Sequence, residues 1–204
     1  MEKEIRSFDF EVRAEQNDQG SVLTGRPIVF NQRTNVGWYD EIIEDHALDN
    51  TDLKDVRFLV NHNTNMIPLA RSRNNNANST MQMKVVDGEG MDIRVNLDTE
   101  NNADARSLYS AVERGDISGM SFMFIVDKDS WDDVDSDHPV RTIRSFKQVL
   151  EVSAVTFPAY EQTNIQARGL SDALDSAKES LESAKAEKRE LELAKAKLKM
   201  KARI

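Results

Sequence analysis

Residues 116–127, DISGMSFMFIVD, hold the most strand-like run in the chain. Period-two alternation sends Met120, Phe122, Phe124 and Val126 to one face and Ser121, Met123 and Ile125 to the other. A small hydroxyl therefore interrupts an otherwise apolar strand. Serine in such a place is commonly inert, bonded to a neighbouring backbone group. It is also where a rigid element would hold a nucleophile, so both readings stand on this stretch alone.

Several more runs on either side alternate in the same way between turn signals. IRSFDFEVRA comes first and stops at QNDQG, followed by SVLTGRPIVF and VGWYDEII. A short helical piece is expected around EDHALDN. VRFLVNH and IPLARS flank a polar turn, and RNNNANS is a loop by composition. STMQMKVV and MDIRVNL are joined by DGEG, a hairpin signal rather than a phosphate cradle. NADARSLYSAVERGD carries Ala105, Leu108, Ala111 and Val112 at helical spacing and ends on glycine. An acidic loop, DKDSWDDVDSDHP, then separates SGMSFMFIV from a last strand pair, TIRSF and VLEVSAVTF. Many strands with few helices predict an antiparallel, barrel-like domain with peripheral helices, not alternating β-α units.

Composition changes after Arg168. Residues 170–203 contain no proline, aromatic residue or valine. Leu170, Ala177, Ala184, Leu191 and Leu198 recur every seven residues, with Leu174 and Leu181 four places after the first two. The corresponding later positions, Lys188 and Lys195, are polar, so the stretch predicts half a coiled-coil seam on an exposed helix. Residues 1–168 are expected to form one domain and residues 169–204 a charged helical tail.

The chain has 204 residues and a net charge of −9. From Leu170 onward nine Lys/Arg meet seven Asp/Glu, which leaves −11 on residues 1–169. A body that acidic repels a phosphate backbone, so nucleic-acid binding by the main domain is not expected. No apolar run approaches the roughly 20 residues that span a bilayer, and the start, MEKEIRSFDFEV, lacks the apolar centre of a signal peptide. With no cysteine, thiolate metal sites, disulfides and a cysteine nucleophile are excluded.

Three histidines limit the imidazole chemistry. His46, in EIIEDHALDN, and His138, in DDVDSDHPV, have polar surroundings and read as surface groups. His62 ends the apolar run FLVNHN, where a strand would hold it firmly; a backbone carbonyl satisfying its ring is the plainer alternative. Glu151 shares a face of VLEVSAVTF with Val149, Ser153, Val155 and Phe157. A carboxylate there needs a partner if that face is buried, and none if it lines an edge. Ser121, His62 and Glu151 together supply a nucleophile, a base and an acid to orient the base. There is no G-x-S-x-G elbow. Asp133, Asp135 and Asp137 alternate as in a calcium loop, but His138 stands where glycine is needed and Arg144 where the bidentate glutamate belongs.

GRPIVFNQ, YDEII, FLVNHN with PLARS, GDISGMSFMF and LEVSAVTFPAYEQTNIQAR occur in that order. Over roughly residues 8–168 the chain thereby resembles the prohead proteases of tailed bacteriophages. The resemblance implies a serine endopeptidase with a herpesvirus-protease-like β-barrel, Ser121 as nucleophile, His62 as base and Glu151 as acid. The related herpesvirus enzymes use a second histidine in the acid's place, which here could only be His46 or His138. The family pattern P-L-G-R has Ala70 in place of glycine, which bears on the local backbone alone, since alanine tolerates φ > 0 poorly. Implied partners are the major capsid protein and its scaffolding segment, with self-cleavage, inside the assembling prohead in the host cytoplasm. No cofactor or metal is implied, and self-association stays open. A capsid or scaffold protein that keeps the protease fold without catalysis is the alternative.

Overall fold

The computed structural model describes residues 3–8, 12–17, 20–156 and 167–201. Eleven strands and two helices are described: β1 Glu4–Phe8, β2 Arg13–Asn17, β3 Gly20–Val29, β4 Thr34–Asn35, β5 Asp40–Ile43, β6 Asp55–Val60, β7 Ala70–Arg73, β8 Met81–Val86, β9 Gly90–Leu97, α1 Ala103–Glu113, β10 Gly119–Asp132, β11 Val140–Val155 and α2 Ala167–Lys201. The chain is mainly β, with a helix at its C-terminal end. Its described strands pair as two sheets, and no pairing among them closes either sheet into a barrel.

The larger sheet is built around β11. One edge of β11 pairs antiparallel with β10, which pairs antiparallel with β1. The other edge is shared end to end: β5 lies against Val140–Ile143 and β6 against Glu151–Ala154, both parallel. The sheet is therefore mixed rather than purely antiparallel. β5 and β6 keep one direction because the segment between them travels along β11, where Asp52 bridges to Gln148. That segment is a series of turns at residues 45–50, and the helix expected around EDHALDN does not form. His46 sits there at a φ of 65°.

The smaller sheet runs β2-β3-β9-β8. DGEG makes the tight β8–β9 connection as expected. Gly90, its last residue, has a φ of 142°, where a Cβ would stand 1.9 Å from the Ile28 carbonyl oxygen, so only glycine allows β3 to approach. Helix α1 begins at Asn102, whose side chain accepts the backbone N–H groups of Asp104 and Ala105. It buries Ala105, Leu108 and Val112, three of the four positions predicted by spacing.

One apolar cluster joins the sheets. Met120, Phe122 and Phe124 of β10 belong to it, Phe122 and Phe124 meeting Phe146 of β11, together with Ile28 of β3 and Met91, Ile93 and Val95 of β9. Phe122 and Phe124 stack at 4.7 Å, and Phe146 meets Phe124 edge-on at 4.9 Å. Over residues 120–126 the even-numbered face of β10 is thus core, which leaves the odd-numbered face to Ser121.

Two further expectations change. The acidic stretch DKDSWDDVDSDHP is not all loop: β10 continues through it to Asp132, because Trp131 is buried and Asp129 accepts the Arg141 guanidinium at 2.6 Å. Nor is the tail helix wholly exposed. Leu174, Ala177, Leu181 and Ala184 pack against Val36, Trp38, Tyr39, Trp131 and Val134. The predicted half-seam therefore meets the protein body instead of another helix, and Leu191 and Leu198 beyond it are exposed. Among the described residues, no helix is long and apolar enough to cross a membrane.

Candidate active site

Three serines lie in register across the larger sheet. Ser7 of β1 is opposite Ser121 of β10, and Ser121 is opposite Ser153 of β11. Residues directly opposite each other in antiparallel strands share a face, so the three hydroxyls form a row. Ser121 and Ser153 are completely buried and Ser7 nearly so. Glu151 lies two residues before Ser153 and hence on the same face, with 2 % exposure.

His62 reaches this face from the end of β6. That strand runs parallel to β11 as far as the pair Val60–Ala154. Asn61 and His62 then take left-handed conformations, at φ of 51° and 56°, which turn the chain over the end of the row. Such geometry costs a non-glycine residue energy and needs local compensation. The Asn61 N–H donates to the Ala154 carbonyl at 3.0 Å. The Asn61 side chain accepts from the Thr156 N–H at 2.9 Å and donates to the Thr156 hydroxyl at 3.1 Å. The His62 N–H donates to Ser153 Oγ at 3.1 Å.

The imidazole is thereby held between Glu151 and Ser121. Its Nδ1–H donates to Glu151 Oε1, and Nε2 stands 2.6 Å from Ser121 Oγ. Ser153 Oγ donates to the other carboxylate oxygen, Glu151 Oε2, at 2.6 Å. The buried carboxylate thus has a partner on each oxygen, which is what its burial requires. With Nδ1–H on the carboxylate, Nε2 carries the lone pair and can accept the serine proton. The Arg6 carbonyl, 2.8 Å from Ser121 Oγ, is a second acceptor for its one proton, and the Ser7 hydroxyl donates to Ser121 Oγ at 2.8 Å.

Strand β1 is fixed by a buried ionic cluster. Arg6 donates to both oxygens of Glu41, to Glu4 at 2.8 Å and to Tyr39 Oη at 2.9 Å. Arg141 donates to Glu4 at 2.7 and 3.0 Å. Burial raises the Glu4 carboxyl, but the Arg6 charge and the Arg141 hydrogen bond outweigh it and hold it below its ordinary value. Burial pushes the Tyr39 hydroxyl up to about 12, against the lowering by Arg6.

The three residues singled out in the sequence therefore meet. The two alternative histidines do not join them: His46 is exposed beside Asp49, and His138 Nε2 stands 2.8 Å from Asp40. Ala70 lies in β7 opposite Phe58 and is absent from the positive-φ residues, so alanine there is unstrained. Ser7 and the clamp at Asn61 were missed, since a serine in IRSF and an asparagine before a histidine carry no periodic signal. Ser153 lay on the Glu151 face and was legible only as a neighbour. No group of three metal-ligating side chains occurs among the described residues.

A serine hydroxyl on β10, an imidazole on the turn after β6 and a carboxylate on β11, joined in that order, form the arrangement of a serine hydrolase centre. Residues 8–178 match the caudovirus prohead serine protease family, and the chain belongs to that family. It is 27% identical over 173 residues to the prohead protease of Enterobacteria phage HK97, covering 83% of this chain and 70% of the relative. No solved structure matches the chain. The protein is thus a serine protease of the capsid-maturation class.

Proposed function

We propose that the chain cleaves the scaffold, or the scaffolding segment of the major capsid protein, and itself, during maturation of the prohead. Ser121 attacks the scissile carbonyl while its proton passes to His62 Nε2. His62 then gives that proton to the leaving amine as the C–N bond breaks, leaving an acyl-enzyme on Ser121. Water repeats the sequence and frees the second product. Glu151 orients the ring and stabilises the imidazolium. The observation that carries this reading is the unbroken hydrogen-bond chain from Ser121 through His62 to Glu151.

The work would take place inside the assembling prohead in the host cytoplasm, where capsid protein is the partner. Residues 1–168 would be the protease domain and residues 169–204 an appended tail. Co-expression of the chain with its capsid protein tests the reading. Wild type should shorten the capsid protein and Ser121→Ala should not, while folding unchanged. Continued cleavage by Ser121→Ala would remove Ser121 from the mechanism.

A further inference from the structure

We propose that Ser7 is a further catalytic residue, whose hydroxyl stabilises the negative charge that develops on Ser121 Oγ. The inference rests on Ser121 being the nucleophile. Ser121 carries one hydroxyl proton and has two acceptors within reach, His62 Nε2 at 2.6 Å and the Arg6 carbonyl at 2.8 Å. Only transfer to His62 prepares an attack.

When that proton leaves, Ser121 Oγ gains negative charge while still facing the oxygen end of the Arg6 carbonyl dipole. That contact is then repulsive. The Ser7 O–H, 2.8 Å from the same oxygen and directed at it, has the opposite sign. A hydrogen bond to an oxygen gaining charge strengthens as the charge grows, so it lowers the barrier more than it stabilises the resting enzyme.

The same contact acts twice. In acylation the Oγ–C bond forms as the proton passes to Nε2. In deacylation that bond breaks, its electron pair returns to Oγ, and the proton comes back from Nε2. Ser7 keeps its own proton throughout and serves only as donor. Its position is set independently of the site, because Arg6 and Glu4 on the same strand are locked into the buried ionic cluster. The register Ser7–Ser121 therefore cannot slip without breaking several charged hydrogen bonds.

The test uses the full chain as wild type, Ser7→Ala and Ser7→Thr. Labelling of Ser121 by a fluorophosphonate is followed by peptide mapping, beside the rate of capsid-protein cleavage. Ser7→Ala should slow both roughly 10- to 100-fold, the size of a hydrogen bond to a charged group. The loss should fall on kcat and not on KM, with an unchanged thermal midpoint. Ser7→Thr keeps the hydroxyl and should stay within a few-fold of wild type. Ser7→Cys, similar in size but a far weaker donor, takes the place of Ser7→Ala if that variant does not fold. Equal rates for wild type and Ser7→Ala would overturn the proposal, as would equal slowing by Ser7→Ala and Ser7→Thr. A wild type that neither labels at Ser121 nor cuts capsid protein would overturn the nucleophile reading itself.

Discussion

Ser153 accepts the backbone N–H of His62 at 3.1 Å, and its hydroxyl proton goes to Glu151 Oε2 at 2.6 Å. One side chain thereby fixes both the strained turn that carries the imidazole and the carboxylate that orients it. Ser153→Ala leaves a buried N–H and a carboxylate oxygen without this partner. A stability loss of about 1–3 kcal/mol is expected. Cleavage should slow roughly 100-fold, the cost of misplacing a reacting group by about 1 Å. Urea denaturation and the capsid-cleavage assay check the two effects separately. Cleavage at the wild-type rate would mean that the Asn61 clamp alone positions His62.

Glu151→Gln keeps the shape and removes the charge. The amide can offer an N–H to Nδ1, which stabilises the tautomer with the proton on Nε2, where Ser121 needs an acceptor. Turnover should fall about 10³- to 10⁴-fold, as the equivalent acid-to-amide change does in serine proteases. The measurement is the rate of capsid-protein cleavage with the folded fraction checked by circular dichroism. A loss under about tenfold would assign the orienting role elsewhere.

Period-two alternation was sufficient over residues 120–126 of β10: the even positions turn to the core, and the odd position 121 faces the site. Glu151 was legible for a similar reason, as a carboxylate amid apolar neighbours. The ionic cluster was not. Glu4 and Arg6 alternate with Ile5, a pattern that reads as the wet side of a strand, yet both are buried because Arg141 and Glu41 arrive from distant segments. Charge compensation at that range leaves no local trace. The parallel pairing of β5 and β6 with β11 was hidden likewise, since no periodicity encodes strand direction. The turn at His62 depends on Ser153, 91 residues away.

That cluster makes stability pH-dependent at both ends. The Glu4 carboxyl is held below its ordinary value of 4.5 because the Arg6 charge and the Arg141 hydrogen bond outweigh burial. Its contribution is therefore complete above pH 4.5 and is lost as pH falls through the lowered folded-state value. Tyr39 is shifted the other way, by burial, from 10.0 to about 12. Its contribution is complete below pH 10.0 and is lost as pH rises towards about 12. Urea midpoints measured across the pH range should fall at both limbs. Glu4→Gln should flatten the acid limb and cost about 3–5 kcal/mol at neutral pH, since it strands buried guanidinium charge. Tyr39→Phe should flatten the alkaline limb. An acid limb unchanged in Glu4→Gln would place the titrating carboxylate elsewhere.

The two halves of α2 should behave differently on truncation. Residues 174–184 cover the stacked rings of Trp38 and Trp131, 5.7 Å apart, and Ser180 accepts the Trp131 indole N–H at 3.0 Å. Ser176 and Ser180 also donate to Glu4 and Asp129, so the helix touches the ionic cluster that fixes β1. Residues 186–200 are exposed throughout. Deleting residues 186–204 should leave the thermal midpoint and tryptophan emission unchanged. Deleting residues 170–204 uncovers the rings and should shift emission to the red, with a loss on the order of 2–4 kcal/mol from the apolar side chains returned to water. Cleavage activity should fall with the longer deletion only, because Ser7 reaches Ser121 from the strand that the helix helps to hold. Identical emission and stability for both truncations would mean that the helix does not dock in solution, and that β1 is held by its ion pairs alone.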